Sequence, residues 1–100
     1  MSRSLGDEVA HKIGVISTPD IFERDLDASA DCLLIVATDG LWQYMEDEMC
    51  VEESMKHSDP ATSAMILISM SNERWLAREQ YIDDTTVCVS FLAGKESELR

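Results

Sequence analysis

One hundred residues with a formal charge of −12, from 20 acidic and 8 basic side chains, make one small domain or part of a larger one. A chain this acidic repels phosphate backbones, so nucleic acid is excluded as a first expectation, while its 45% apolar content supports a core rather than disorder. No apolar run approaches the ~20 residues of a membrane helix, and Met1 to Asp7 lacks the apolar stretch of a signal peptide, so the expectation is a soluble intracellular protein.

Ser2 to Lys12 is polar and reads as loop, followed by a short β-leaning run from Ile13 to Ile16 that Ser17-Thr18-Pro19-Asp20 breaks with turn chemistry. Ile21 to Leu26 is expected as an edge strand, and Asp27 to Asp31 as a polar turn. Cys32 to Ala37 is the strongest strand. It is apolar at every position, which suits a strand covered on both faces, and with Ile21 to Leu26 it would form a hairpin.

A helix is predicted over about 47–57, capped by Asp47, with Val51 and Met55 on its apolar face. Ser58-Asp59-Pro60 restarts a second helix that runs to about Arg78, with Ala61, Ala64, Met65, Ile68 and Trp75 on or near one stripe, widened by Leu67 and Met70. Glu79 to Asp84 connects to a β-branched strand over Thr85 to Leu92, and 94–100 reads as a frayed tail. The last strand must find its partner across two helices, as in part of a layered α/β arrangement.

Cys32, Cys50 and Cys88 have no CxxC spacing, and an odd count fits reduced thiols, with Cys32 and Cys88 as small core residues. His11 and His57 stand apart from them and read as surface histidines rather than zinc ligands.

Chemistry concentrates at two places. In Ala37-Thr38-Asp39-Gly40-Leu41-Trp42 an apolar strand ends in a carboxylate on rigid backbone, where a metal ligand belongs, although Asp-Gly is also a common turn pair. Asp83-Asp84 sets adjacent carboxylates before the last strand, which suits either a hard cation such as Mg²⁺ or Mn²⁺ or a solvated acidic turn. The two reinforce each other only if both lie at one end of the same sheet.

Four segments stand in the order and approximate spacing of the metal-dependent protein phosphatases (the PPM, or protein phosphatase 2C, family). Ser2-Arg3-Ser4-Leu5-Gly6-Asp7 resembles the family's SR-(S/A)-LGD motif. Gly14-Val15 with Pro19-Asp20-Ile21 resembles its next segment. Leu34 through Trp42 is similar to its strand ending in Asp-Gly, and Asp83-Asp84-Thr85-Thr86-Val87 to its D-(N/D)-x-(S/T)-V motif. The resemblance spans 2–92 and identifies residues 1–93 as the C-terminal portion of such a domain.

It implies an α+β fold, a partial α-β-β-α sandwich with mainly antiparallel sheets and helices packed outside. It implies a protein serine/threonine phosphatase with a phosphoprotein substrate, in which two Mg²⁺ or Mn²⁺ ions activate a water that attacks phosphorus in line. Asp39 and Asp83 fall where the family places ligands of one metal, with Gly40, Asp7 and Asp84 supporting. Two departures count. The family's N-terminal half, with its metal-bridging aspartate and phosphate-gripping arginine, has no counterpart here, so a partial sequence that is inactive alone is expected. Gln43 replaces an aspartate that helps bind an extra metal. The alternative is a non-catalytic, phosphatase-like interaction module. No stable oligomer is predicted.

Overall fold

A computed structural model describes residues 3–27, 29–30 and 32–92. The expected tail at 94–100, Ala28 and Asp31 of the expected turn, and Met1 and Ser2 lie outside the described residues. In chain order the elements are α1 (Glu8–Lys12), β1 (Leu33–Ala37), α2 (Asp39–Trp42), α3 (Asp47–Met55), α4 (Pro60–Glu79) and β2 (Val87–Phe91). The strands pair antiparallel, from Leu33 opposite Phe91 to Ala37 opposite Val87. The last strand does reach back across the helices, and the fold is α+β.

Local chemistry explains the helix ends. Asp59 caps α4 by accepting from Ala61 N at 3.2 Å and Thr62 Oγ1 at 2.9 Å, and Pro60 occupies the first turn, where a missing N–H costs nothing. Gln80, at φ 63, closes the far end by donating its N–H to Leu76 O at 3.2 Å. At α3 the expected cap is displaced: Glu46 is the N-cap and makes no side-chain cap bond, while Asp47 lies within the first turn beside Glu48, where both favour the helix dipole.

The core forms where α3 and α4 cover one face of the ribbon. Leu41, Met45, Cys50 and Leu67 are buried together, and Ile35, Ala37, Val87 and Val89 pack against them from the strands. The reading of β1 as covered on both faces is corrected. Leu34 and Val36 are 51% and 58% exposed, whereas Leu33, Ile35 and Ala37 are half-buried, so only one face of the strand is covered. Val36 pairs with Cys88, so Cys88 lies on the same open face and is exposed; the buried cysteine is Cys50, and Cys32 is half-buried.

The helix stripes also shift. On α4 the buried line is Ser63, Leu67, Ser71 and Trp75, one residue per turn, whereas Met65 is 70% exposed and Ala61 is exposed. On α3 the buried residues are Cys50 and Ser54, and Val51 faces solvent. Two of the buried hydroxyls serve backbone carbonyls: Ser71 Oγ donates to Gly40 O, and Ser63 Oγ donates to Ser54 O at 3.2 Å and ties α4 to the end of α3; the buried Ser54 hydroxyl makes no hydrogen bond among the described residues.

Toward the N-terminus, α1 replaces part of the expected loop. The run 13–16 contributes only a parallel bridge between Arg3 and Ile16, with Ser4 N donating to Ile16 O at 2.8 Å. Residues 21–26 form no strand, so the expected hairpin with β1 does not exist. Ile21 and Phe22 are 81% and 87% exposed, so this stretch lacks the buried face that would hold it as a strand.

Candidate functional site

The strand pair does not stop at Ala37 and Val87. Thr38 N donates to Thr86 O at 3.0 Å, and Thr86 N donates to Thr38 Oγ1 at 3.1 Å. Thr38 is the N-cap of α2, yet its hydroxyl caps nothing there, being taken by Thr86. The chain then turns directly into α2, whose first residue is Asp39. Asp39 is exposed, and its carbonyl accepts from Gln43 N at 2.9 Å.

Gly40 is buried beneath the segment that leads into β2. A Cβ there would collide with the Asp84 carbonyl oxygen and Thr85 Oγ1, so no other residue fits without displacing that backbone. Thr85 Oγ1 in turn donates to Asp83 O at 3.2 Å, shaping the turn that carries both acidic residues. The Asp39-Gly40 and Asp83-Asp84 backbones therefore meet at one end of the ribbon. Asp83 is half-buried and Asp84 exposed.

Helix α4 holds this end from beneath. The Gly40 carbonyl accepts from Ser71 Oγ and from Trp75 Nε1, each at 2.7 Å. Arg74 Nη1 donates to Tyr44 O at 2.7 Å, and Trp42 Nε1 donates to Ala37 O at 3.1 Å. Around Trp75 the Tyr44 ring stands edge-on at 4.8 Å and the Tyr81 ring tilts at 5.5 Å. Tyr44 Oη donates to Glu79, and that bond pushes the phenol's pKa up, while the Arg78 guanidinium lies 5.0 Å over the Tyr44 ring.

Asp7 stands apart from this meeting point in what it bonds: it is the N-cap of α1, at φ 45, and its carbonyl accepts from His11 N at 3.1 Å. Gln43 is exposed at the end of α2. The sequence reading missed Thr38, Ser71 and Trp75 as builders of this end. The available signal was the one-per-turn line Ser63, Leu67, Ser71 and Trp75, in which hydrogen-bonding side chains alternate with a core leucine.

The donors fit part of a hard-cation shell. Carboxylate oxygens suit Mg²⁺ or Mn²⁺. Among the described residues, however, no three His, Cys, Asp or Glu side chains cluster as a closed shell requires. Any ion held here must complete its coordination with water or with donors from outside these residues.

The sequence model of the family described as protein phosphatase 2C matches residues 1–73. The chain is 33% identical over 99 residues to the probable protein phosphatase 2C 72 of Arabidopsis thaliana, covering 96% of this chain and 30% of that protein. It is 30% identical over 97 residues to the probable protein phosphatase 2C 52 of the same plant, covering 95% and 20%. To the probable protein phosphatase 2C 73 of Oryza sativa subsp. japonica it is 29% identical over 99 residues, covering 97% and 23%. No solved structure matches.

An α+β chain with these segments in this order belongs to the protein phosphatase 2C family. It is a fragment of that family's chain, spanning less than a third of the length of these relatives.

Proposed function

We propose that this chain is the C-terminal portion of a protein serine/threonine phosphatase catalytic domain, and that Asp39 and Asp83 hold one of two divalent cations, Mg²⁺ or Mn²⁺. The observation that carries this is the approach of the two acidic turns, with the backbone at Gly40 pressed against Asp84 and Thr85. When bound, such ions supply Lewis-acid chemistry, making water nucleophilic near neutral pH and offsetting charge on the phosphoryl oxygens. The chain's own contribution is placement. Asp39 brings an anionic oxygen on backbone fixed on both sides, by Thr86 at Thr38 and by α4 at Gly40. Asp83 brings a second from the turn shaped by Thr85, and Asp84 adds negative potential beside it. The substrate class is phosphoserine and phosphothreonine in proteins.

The test is titration of the full chain with MnCl₂, followed by paramagnetic broadening of amide signals. Broadening confined to 38–41 and 82–86, and lost in Asp39→Asn and in Asp83→Asn, is the expected result. Broadening that ignores both substitutions overturns the assignment. Alone, the chain is expected not to turn over p-nitrophenyl phosphate; metal-dependent turnover abolished by Asp39→Asn would mean that the missing half is not required.

A second reading is a phosphatase-like interaction module without catalysis. It is favoured by uncharged Gln43 and by the lack of a three-donor cluster among the described residues. Absence of Mn²⁺ broadening at both turns would favour it.

A further inference from the structure

We propose that Trp75 is a positioning residue shared by both acidic turns, acting with Ser71 to hold Asp39 and Asp83 in register for one cation; this rests on the phosphatase reading above. The Gly40 carbonyl is one of the terminal carbonyls of a helix only four residues long, so α2 itself has no partner for it. One donor would satisfy it, yet it receives two, Ser71 Oγ and Trp75 Nε1, both at 2.7 Å. Ser71 is fully buried and Trp75 is 7% exposed, so neither polar group has water as an alternative. Asp84 O and Thr85 Oγ1 occupy the space where a Cβ at Gly40 would lie, so the Gly40 backbone is packed directly against the second turn.

The same indole also reaches the second turn. Its ring meets Tyr81 at 5.5 Å, and Tyr81 lies two residues before Asp83. Tyr44 also braces it, edge-on at 4.8 Å, and is anchored in turn to Glu79 at the end of α4. One side chain therefore links the Asp39 turn through its N–H and the Asp83 approach through its ring. Displacing α4 would move both turns together instead of parting them. Groups that orient a ligand without touching the ion set its affinity by pre-organising the donors.

Trp75→Phe removes the N–H and keeps most of the packing; Ser71→Ala removes the hydroxyl and serves if Trp75→Phe does not fold. Each is compared with wild type and with Asp39→Asn in the full chain, by amide hydrogen exchange and by Mn²⁺ titration with MnCl₂. Either variant is expected to speed exchange at the Leu41 and Gln43 amides by about tenfold, with the Ile35 and Val89 amides unchanged, and to weaken apparent Mn²⁺ affinity by about tenfold. Unchanged exchange at Leu41 and Gln43 overturns the proposal. So does unchanged Mn²⁺ affinity in a chain where Asp39→Asn abolishes binding. Wild type and Asp39→Asn binding Mn²⁺ equally overturns the metal reading first, and the shared positioning role with it.

Discussion

Thr38 and Thr86 clasp one another by two hydrogen bonds, one from the Thr38 amide at 3.0 Å and one to the Thr38 hydroxyl at 3.1 Å. The pair extends the ladder of β1 and β2 by one step and fixes where the chain leaves the strand for Asp39. Thr38→Val keeps the shape and removes the acceptor. It is expected to cost about 1 kcal/mol in urea unfolding and to speed exchange of the Thr86 amide. An unchanged Thr86 exchange rate would show that the hydroxyl does not hold that amide.

Gly40→Ala presses a methyl group into the Asp84 carbonyl and the Thr85 hydroxyl. Backbone cannot yield as a side-chain tip can, so a loss of about 1–3 kcal/mol is expected, read as a lower urea midpoint. Because Asp83 and Asp84 must move to admit the methyl, amide shifts at 83–85 should change more than those at 60–66. A variant as stable as wild type would mean that the two turns do not meet.

The thiols should separate by reactivity. Burial pushes the Cys50 thiol up, with Asp47 adding to the effect, and its side chain is fully enclosed. Cys88 is exposed on the open face of the ribbon. With a chromogenic disulfide reagent at pH 8, Cys88 is expected to react in the folded chain and Cys50 only as fast as the chain unfolds. Rapid modification of Cys50 in the folded chain would contradict the packing of α3 on α4.

Acid should weaken α4 through its cap. The Thr62 hydroxyl, and then the Ala61 amide, hold Asp59 below the usual carboxylate range. A lowered folded-state pKa contributes stability above the unfolded value of about 3.9 and loses it as pH falls through the folded value. Glu53, held down chiefly by Lys56, and Asp27, held down chiefly by Ser29, shift in the same direction. The urea midpoint is therefore expected to stay level from about pH 7 to about pH 5 and to drop below about pH 4. Asp59→Ala should lower the plateau and make the acid drop shallower; parallel profiles would remove Asp59 from the account.

The strands and the long helix were readable because their signals are local. Apolar run, cap and proline, and β-branched run mark β1, α4 and β2; the pairing was not readable, because 21–26 offered β1 a nearer partner than β2. The Asp-Gly and Asp-Asp segments each had a bland reading, as a turn pair and as a solvated acidic turn, and stood out only through their place in the order of the family's segments. What was not readable depends on neighbours. Leu34 and Val36 look like core in any strand, and only the placement of α3 and α4 on the other face leaves them exposed. Ser63 and Ser71 look like surface on a helix, and only the buried carbonyls of Ser54 and Gly40 put them inside. Ile21 to Leu26 has strand composition, but Ile21, Phe22 and Leu26 stay largely exposed, so the segment has no buried face to hold it as a strand.

The pairing of Leu33–Ala37 with Val87–Phe91 also imposes an order of events on biosynthesis. A ribosome delivers β1 first and must then make all of α2, α3 and α4 before the complementary strand emerges. Until that moment the edge of β1 that β2 will occupy stays unpaired and open to another strand. Docking α4 early shortens this exposure, because it stores the intervening chain as helix and leaves a smaller loop to close.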